Sequence, residues 1–317
     1  MNDQINVIGA GAWGTALAVL LARAGKRVVL WARTPEMVAE MAATRAAPRL
    51  PGIMLPDNLA VTADMPQAGT SLVVVPTQHL RALLPRLPQS GPLVLCCKGL
   101  EIGSLMLPPE FAGGERLAVL TGPNFAHEVA AGLPAAAVLA TPDEMLRAEL
   151  IGRLRTDSLR LYGSPDMLGA ALGGAAKNVI AIAAGVVMGA GLGENARAAL
   201  ITRGLAEIAR LALAIGGRAE TVSGLSGLGD LLLTCTGPSS RNYSLGFALG
   251  QGSSLAAVLG QRTSVTEGVT TAPALLSRAQ RAGVEMPITE AVTRLLAGER
   301  TVAQTMAGLM GRALKDE

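Results

Sequence analysis

Short runs of β-branched and aliphatic residues alternate with helix-patterned segments over the first 163 residues. This alternation is typical of a parallel α/β sheet, in which helices connect successive strands. The Pro-rich segment 45–64 interrupts the pattern and is predicted to be an irregular connection over the sheet. The seven predicted strands are residues 4–8, 27–31, 71–75, 92–96, 116–120, 135–140 and 159–162.

The strand pattern ends at Asp166, and Ala-, Leu- and Ile-rich stretches with helical spacing follow to the end of the chain. A Gly-Ser-Pro turn at residues 163–165 separates the two patterns without a long linker. The sequence therefore predicts an α/β fold with two domains. Residues 1–164 form a doubly wound parallel sheet, and residues 165–317 form an all-helical domain.

Composition and charge exclude several classes of protein. The 317 residues carry a formal net charge of +3 without a Lys/Arg cluster, and they include only two Trp, two Tyr and three Phe. Nucleic-acid binders need a basic stripe or aromatic stacking platforms, so no nucleic-acid partner is expected. Cys96, Cys97 and Cys235 match no CxxC spacing, which argues against a zinc site or a disulfide framework. We therefore expect no metal and a reducing, cytoplasmic location.

One stretch, residues 167–193, is apolar and long enough to suggest a membrane span. Lys177 and Asn178 lie near its middle, where a bilayer would penalise them. We interpret the stretch as a buried helix of a soluble protein and expect no integral membrane segment. A protein anchored through this stretch is the alternative, and it would need detergent to stay in solution.

The sequence GAGAWG at residues 9–14 follows a predicted strand and precedes an amphipathic helix. In this context GxGxxG predicts a Rossmann-type dinucleotide site: Gly9 permits the tight turn, Gly11 lets the backbone approach a pyrophosphate, and Gly14 allows close helix–strand packing. Amide N–H groups at the helix start would face the anion. An ordinary Gly-rich turn is the competing interpretation.

The end of the second predicted strand indicates which dinucleotide is favoured. An acidic residue there would bind the ribose 2′-hydroxyl of NAD, whereas an arginine accommodates the 2′-phosphate of NADP. Here the strand runs into Ala32, Arg33 and Thr34, and the first carboxylate is Glu36. Arg33 therefore predicts that NADP(H) is preferred and that NAD(H) remains possible.

Further motifs extend over nearly the whole chain. Loops after predicted strands read VPTQ at 75–78, CCKGLE at 96–101 and LTGPNFAHE at 120–128. The helical part contains LGGAAKNVI at 172–180, ENARAALITRG at 194–204, GLSGLGD at 224–230, SSRN at 239–242, EGV at 267–269 and MPI at 286–288. In this order the chain resembles the NAD(P)-dependent glycerol-3-phosphate dehydrogenases of the bacterial biosynthetic type. The resemblance implies reversible reduction of dihydroxyacetone phosphate to sn-glycerol 3-phosphate for phospholipid synthesis.

The resemblance also implies residue roles. Lys177 is the proton donor in the reduction, and a lysine tuned by its surroundings can shuttle protons. Apolar neighbours disfavour its ammonium form, whereas Asp230 beside it would favour that form, and the sequence leaves this competition open. Together with Gly9, Gly11, Trp13 and Gly14 of the GxGxxG turn and Arg33 at the strand end, the resemblance gives Lys98, Ala126, Arg241, Val265 and Glu267 as cofactor-binding residues. The implied substrate-binding residues are Lys98, Gly122, Lys177, Asp230, Ser240, Arg241 and Asn242.

Several positions depart from the family pattern. Asn124 stands where Ser or Thr is common, Met188 where Asp is usual, and Tyr243 where Arg is common. Ala12 and Cys97 each replace a frequent Ser. No proposed proton carrier or phosphate ligand is lost, but Asn124, Met188 and Tyr243 are left without a predicted role.

Two other functions compete with this one. A dehydrogenase of the same two-domain build acting on a β-hydroxyacid would bind a carboxylate, and the SSRN segment at 239–242 argues against it. A dinucleotide-sensing regulator would bind NADPH without catalysis, and Lys177 argues against that alternative. We expect a homodimer and an active site in the interdomain crevice at the carboxyl edge of the sheet.

Overall fold

The computed structural model describes residues 3–261 and 266–311. The chain divides into two compact units. The first comprises residues 1–98 and 107–171, and the second comprises residues 99–106 and 172–317. Segment 99–106 thus belongs to the second unit although the chain on either side of it belongs to the first. The boundary predicted between residues 164 and 165 stays a prediction.

The first unit is built on an eight-stranded sheet with the order β3-β2-β1-β4-β5-β6-β7-β8. Its strands are β1 Ile5–Ile8, β2 Val28–Trp31, β3 Leu59–Thr62, β4 Thr70–Val73, β5 Leu93–Leu95, β6 Leu117–Thr121, β7 Ala135–Ala140 and β8 Leu159–Ser164. Its helices are α1 Ala12–Arg23, α2 Pro35–Thr44, α3 Thr77–Leu83, α4 Pro108–Ala112, α5 Ala126–Ala131 and α6 Glu144–Leu154.

The central strands β1 and β4 are buried along their whole length, as expected for strands covered on both faces. Helix α1 buries nine consecutive residues from Gly14 to Ala22, and Ala and Leu side chains dominate this stretch. The run β3-β2-β1-β4-β5-β6 is the strand order of a Rossmann sheet. The order in which strands are added reverses between β1 and β4, while the strands themselves stay parallel. The predicted doubly wound α/β fold is therefore confirmed.

Two features of the sheet differ from the sequence-based expectation. Strand β3 lies inside segment 45–64, which was predicted to be irregular; it pairs in parallel with β2 at the edge of the sheet. Strand β7 pairs antiparallel with β6. The connection between them contains only the six-residue helix α5. Six helical residues rise about 9 Å, which is too short to carry the chain back along a strand to the opposite edge.

The second unit is helical. Its helices are α7 Met167–Gly189, α8 Gly193–Ala214, α9 Ala219–Ser223, α10 Asp230–Cys235, α11 Arg241–Gly250, α12 Leu255–Gly260, α13 Glu267–Arg281, α14 Pro287–Leu296 and α15 Val302–Met310. The first residues of α7 still belong to the first unit. Residues 166–261 and 266–311 contain no strand, which confirms the predicted helical pattern.

Helix α7 is the one helix in the described part of the chain that is long and apolar enough to cross a membrane. Its most apolar 18-residue window is 94% buried inside the protein. Burial of this extent is that of a core helix. Lys177 and Asn178 lie within it and are themselves buried.

Candidate active site

The loop between β1 and α1 has the geometry of a dinucleotide-binding turn. Gly9 has a φ of +122°, and a Cβ there would lie 3.0 Å from the carbonyl oxygen of Val74. A Cβ on Gly14 would collide with the carbonyl oxygen of Gly9. No atom lies within 4 Å of the Cβ position of Gly11, so the space beside its backbone is open.

The first turn of α1 is suited to an anion. Gly11 is the N-cap and provides no side-chain hydrogen bond, and the first turn contains no acidic residue. The first N–H groups of a helix have no partner within the helix, and the helix dipole favours negative charge at that end. The half-buried Trp13 follows, and its indole N–H is buried without a hydrogen-bond partner in the described protein. The loop therefore fits a dinucleotide pyrophosphate.

The segment after β2 carries a single cation. Arg33 is exposed, and Thr34 caps α2 by accepting a hydrogen bond from the backbone N–H of Met37 at 3.4 Å. Glu36 lies in the first turn of α2, beyond the strand end. A guanidinium at this position suits a ribose 2′-phosphate.

Lys98 and Gly122 lie beyond the carboxyl ends of the neighbouring parallel strands β5 and β6. The Lys98 ammonium donates a hydrogen bond to the carbonyl oxygen of Gly122 at 3.4 Å, and the Thr77 hydroxyl donates to the Lys98 carbonyl at 3.1 Å. Gly122 has a φ of +153°, and a Cβ there would lie 2.9 Å from the Cα of Ala137. The backbone conformation and the lack of space together require glycine at position 122.

The residues on either side of Gly122 include polar atoms without a hydrogen-bond partner in the described protein. The Asn124 amide donates to the carbonyl of Ala136 at 3.1 Å. Its Oδ1 atom and the hydroxyl of Thr121 are buried without a hydrogen-bond partner among the described residues. Ala126, a predicted cofactor contact, is the half-buried first residue of α5.

In the second unit, Lys177 of α7 forms an ion pair with Asp230, the first residue of α10. The two side chains are 10% and 1% exposed. Thr234 lies one turn further along α10 and donates its hydroxyl proton to the Asp230 carbonyl at 2.5 Å. The sequence left open whether Asp230 lies beside Lys177, and the structure shows that the two side chains meet directly.

A glycine makes this ion pair possible. A Cβ on Gly173 would lie 2.5 Å from the carbonyl oxygen of Ser226 and 3.1 Å from the Cα of Gly227. Gly173 precedes Lys177 by four residues and so lies on the same face of α7. Because position 173 has no side chain, the turn that leads into Asp230 can approach this face closely.

The buried cysteine thiols are not suited to chemistry. Burial raises the pKa of Cys235 well above its usual value, although the neighbouring Lys177 ammonium acts in the opposite direction. Burial likewise raises the pKa of the Cys96 thiol. Both thiols therefore stay protonated at neutral pH, and nucleophilic thiolate chemistry is excluded at these two positions. No cluster of three or more His, Cys, Asp or Glu side chains that could hold a metal ion occurs in residues 3–261 and 266–311.

The start of α11 presents one exposed cation. Ser240 is the buried N-cap, and its hydroxyl accepts a hydrogen bond from the backbone N–H of Tyr243 at 3.2 Å. Arg241 is exposed. The buried Asn242 donates to Asn178 Oδ1 at 2.9 Å. A helix N-terminus with an exposed guanidinium is suited to phosphate.

Asn178 was noted in the sequence only as a polar residue in an apolar stretch, and no role was predicted for it. Its Nδ2 donates to Glu267 Oε2 at 3.3 Å, so it connects two predicted site residues. In the sequence, only its position next to Lys177 could have indicated that Asn178 belongs to the site. Val265, a predicted cofactor contact, lies outside the described residues.

Two of the positions that depart from the family pattern, Met188 and Tyr243, lie in helices of the second unit. Tyr243 is buried and stacks on Phe247 with 6.3 Å between ring centroids. Met188 is half-buried near the end of α7. Tyr243 is therefore a packing residue of the helical unit.

Comparison with known proteins identifies the family. Residues 4–147 match a family model described as the NAD-dependent glycerol-3-phosphate dehydrogenase N-terminus, and residues 166–307 match the corresponding C-terminus. A glycerol-3-phosphate dehydrogenase (NAD(P)+) from Acidiphilium cryptum is 62% identical over 321 residues, covering 100% of this chain and 99% of the relative. Another from Gluconobacter oxydans is 55% identical and covers 93% of each chain.

A solved structure supports the same assignment. The crystal structure of glycerol-3-phosphate dehydrogenase from Coxiella burnetii is 38% identical, has a TM-score of 0.91, and covers 98% of this chain and 99% of its own. The family models match both parts of the chain, and the relatives match it over its full length. These matches agree with the motifs and with the observed Rossmann and helical units. The chain belongs to the NAD(P)-dependent glycerol-3-phosphate dehydrogenase family of oxidoreductases.

Proposed function

We propose that this chain reduces dihydroxyacetone phosphate to sn-glycerol 3-phosphate with NAD(P)H, reversibly, and thereby supplies the glycerol phosphate backbone of phospholipids. Family membership supports the substrate and the cofactor class. The observation that carries the mechanism is the buried ion pair between Lys177 and Asp230. It provides a proton donor in surroundings where few water molecules compete.

Lys177 is the proposed catalytic acid. The nicotinamide cofactor, when bound, supplies the hydride. As the substrate carbonyl carbon is reduced, the Lys177 ammonium donates a proton to the carbonyl oxygen, which becomes the C2 hydroxyl. In the reverse direction the neutral amine accepts that proton. Asp230 keeps the ammonium charged before transfer and fixes the position of Nζ.

The substrate phosphate requires neutralisation and fixed geometry. Arg241 at the start of α11 can bind two phosphate oxygens, with Ser240 and Asn242 as further donors. Asn242 already uses one N–H bond for Asn178, which leaves its amide a second donor proton. Lys98 and the backbone at Gly122 are the proposed substrate contacts of the sheet unit.

The proposed cofactor residues fall into three groups. The backbone at Gly9, Gly11, Trp13 and Gly14 holds the pyrophosphate at the start of α1. Arg33 binds the 2′-phosphate, so NADPH is preferred over NADH. The remaining contacts carried over from the family pattern are Lys98, Ala126, Arg241, Val265 and Glu267.

A cytoplasmic homodimer is the proposed working form. Fractionation of cells and light scattering of the purified protein test this part directly. Recovery in the membrane fraction, or a monomer at working concentration, would contradict it.

The function itself is tested by following the loss of NADPH absorbance on addition of dihydroxyacetone phosphate, with NADH in a parallel series. We expect turnover with both cofactors and the larger kcat/KM with NADPH. No oxidation of either cofactor would refute the proposed reaction. A larger kcat/KM with NADH would refute only the role of Arg33.

A further inference from the structure

Three helices of the second unit meet in a closed set of hydrogen bonds around Asn178. Asn178 as a whole residue is 4% exposed. Asn178 Oδ1 accepts from Asn242 Nδ2 at 2.9 Å, and Asn178 Nδ2 donates to Glu267 Oε2 at 3.3 Å. Asn242 Oδ1 in turn accepts from the backbone N–H of Gly268 at 3.0 Å. The set thus begins and ends on the first two residues of α13.

These hydrogen bonds supply what the local sequence of α13 lacks. Thr266 is the N-cap of α13 but makes no side-chain capping hydrogen bond. Asn242 of α11 performs this function from another helix by accepting from the N–H of Gly268. The buried carboxamides therefore join α7, α11 and the start of α13 with directional bonds rather than by apolar packing alone.

Glycines fix the relative height of α7 and α11. A Cβ on Gly246 would collide with the carbonyl oxygen of Ile182, and a Cβ on Gly250 would collide with that of Val186. Each pair is separated by 64 positions, the same separation as that of the two hydrogen-bonded asparagines. The two backbones thus pack in one register along a stripe of every fourth residue, and the asparagine pair is the next level of that stripe.

This register relates two chemical groups of the proposed site. Lys177 precedes Asn178 on α7, and Arg241 precedes Asn242 on α11. Because the carboxamides of the second residue in each pair are bonded, the backbones that carry the ammonium and the guanidinium are held at a fixed relative position. Lys177 is independently fixed by Asp230, whereas Arg241 is exposed at a helix start.

We infer that Asn178 is a positioning residue which, through Asn242, holds the phosphate-binding start of α11 at the correct distance from Lys177. This inference rests on the proposed function. A substrate that carries both a carbonyl and a phosphate must contact both groups at once, so it depends on that distance. A substrate without the phosphate has no group for the start of α11 to bind, so its turnover does not depend on that distance.

The test compares dihydroxyacetone phosphate with dihydroxyacetone in wild type, Asn178→Ala, Arg241→Ala and the double variant. The quantity measured is the ratio of kcat/KM for the phosphorylated substrate to kcat/KM for the unphosphorylated one. We expect Asn178→Ala to lower this ratio about 10- to 100-fold, because misplacement by about 1 Å has effects of this size. In the Arg241→Ala background the same change should lower the ratio by a clearly smaller factor, since the main phosphate ligand is gone and only Ser240 and Asn242 remain to be positioned.

Two further variants keep the result interpretable. Asn178→Ser places a hydroxyl where the carboxamide was and is the second variant if Asn178→Ala does not fold; it should also lower the ratio. Thr202→Ala removes an exposed hydroxyl on α8 that bonds only the Ala198 carbonyl in the same helix, and it should leave the ratio at the wild-type value. Far-ultraviolet circular dichroism checks that each variant is folded.

The outcomes separate the inference from the proposed function. Equal losses on both substrates, or a full additional loss in the Arg241→Ala background, would overturn the positioning role. Wild-type protein that does not reduce dihydroxyacetone phosphate would overturn the proposed function itself. The role of Asn178 is supported if Asn178→Ala lowers the ratio strongly when Arg241 is present and much less when Arg241 is replaced by Ala.

Discussion

The buried Lys177–Asp230 pair allows catalysis and folding to be perturbed separately. Replacing Lys177 with Met removes the proton donor and leaves the Asp230 carboxylate, 1% exposed, without its partner. Loss of general acid catalysis lowers turnover by about 10²- to 10⁴-fold. An unpaired buried charge lowers the free energy of unfolding by about 3–5 kcal/mol.

The double variant Lys177→Met/Asp230→Asn distinguishes the two effects. It contains no unpaired charge, so we expect it to recover most of the lost free energy of unfolding. It still lacks a proton donor, so its turnover should stay as low as that of Lys177→Met.

Two assays on the same samples measure stability and turnover. Urea unfolding followed by circular dichroism gives the free energies of unfolding, and NADPH oxidation with dihydroxyacetone phosphate gives turnover. NADPH binding, measured by fluorescence, should be largely preserved in both variants. Turnover of Lys177→Met within about tenfold of wild type would refute the role of Lys177 as acid. Activity restored in the double variant would refute it as well.

Three other changes test separate parts of the account. Arg33→Ala should lower kcat/KM for NADPH about tenfold and change that for NADH little, because it removes one charge-assisted contact at an exposed position. Gly173→Ala places a Cβ 2.5 Å from the Ser226 carbonyl and should lower the free energy of unfolding by about 1–3 kcal/mol. Gly152→Ala, on a helix where a Cβ meets no atom within 4 Å, is its control and should raise the free energy of unfolding by up to about 1 kcal/mol. The third change is at Glu207, where burial raises the pKa of the carboxyl to about 7. The folded protein therefore holds this proton more tightly than the unfolded chain does. The stability gained from the bound proton is lost as the pH rises from about 4.5 to about 7.

The last prediction is measured against Glu207→Gln, which cannot ionise. Between about pH 5 and about pH 7.5 the free energy of unfolding of wild type should fall relative to the variant by about 2 kcal/mol. A difference that is constant with pH would contradict it. For the other changes, equal losses with NADPH and NADH in Arg33→Ala, or equal stabilities of the Gly173 and Gly152 variants, would be contradictory.

Local patterns predicted much of the sheet unit. The GAGAWG turn and the β-branched runs are short-range signals, and the structure contains a strand at each of the seven predicted positions. Strand β3 was missed because Leu59–Thr62 is short, lies at the sheet edge and is embedded among prolines. The antiparallel direction of β7 depends on the length of α5, which hydrophobic periodicity does not reveal.

The candidate site was less accessible to sequence reasoning. Asn178 bonds partners 64 and 89 positions away, and no local motif indicates such pairings. The close approach at Gly173 depends on a turn more than 50 residues further along the chain. Asp230 was predicted as a partner of Lys177 only as one possibility, because distance in the fold decides whether two charges meet.

The most direct test of the proposed reaction is isotopic. Purified protein is incubated with dihydroxyacetone phosphate and NADPH carrying deuterium at the transferable position of the nicotinamide, and the product is examined by mass spectrometry and NMR. We expect sn-glycerol 3-phosphate with one deuterium at C2 for each NADPH oxidised. Oxidation of NADPH without deuterium at C2, or no product at all, would contradict it.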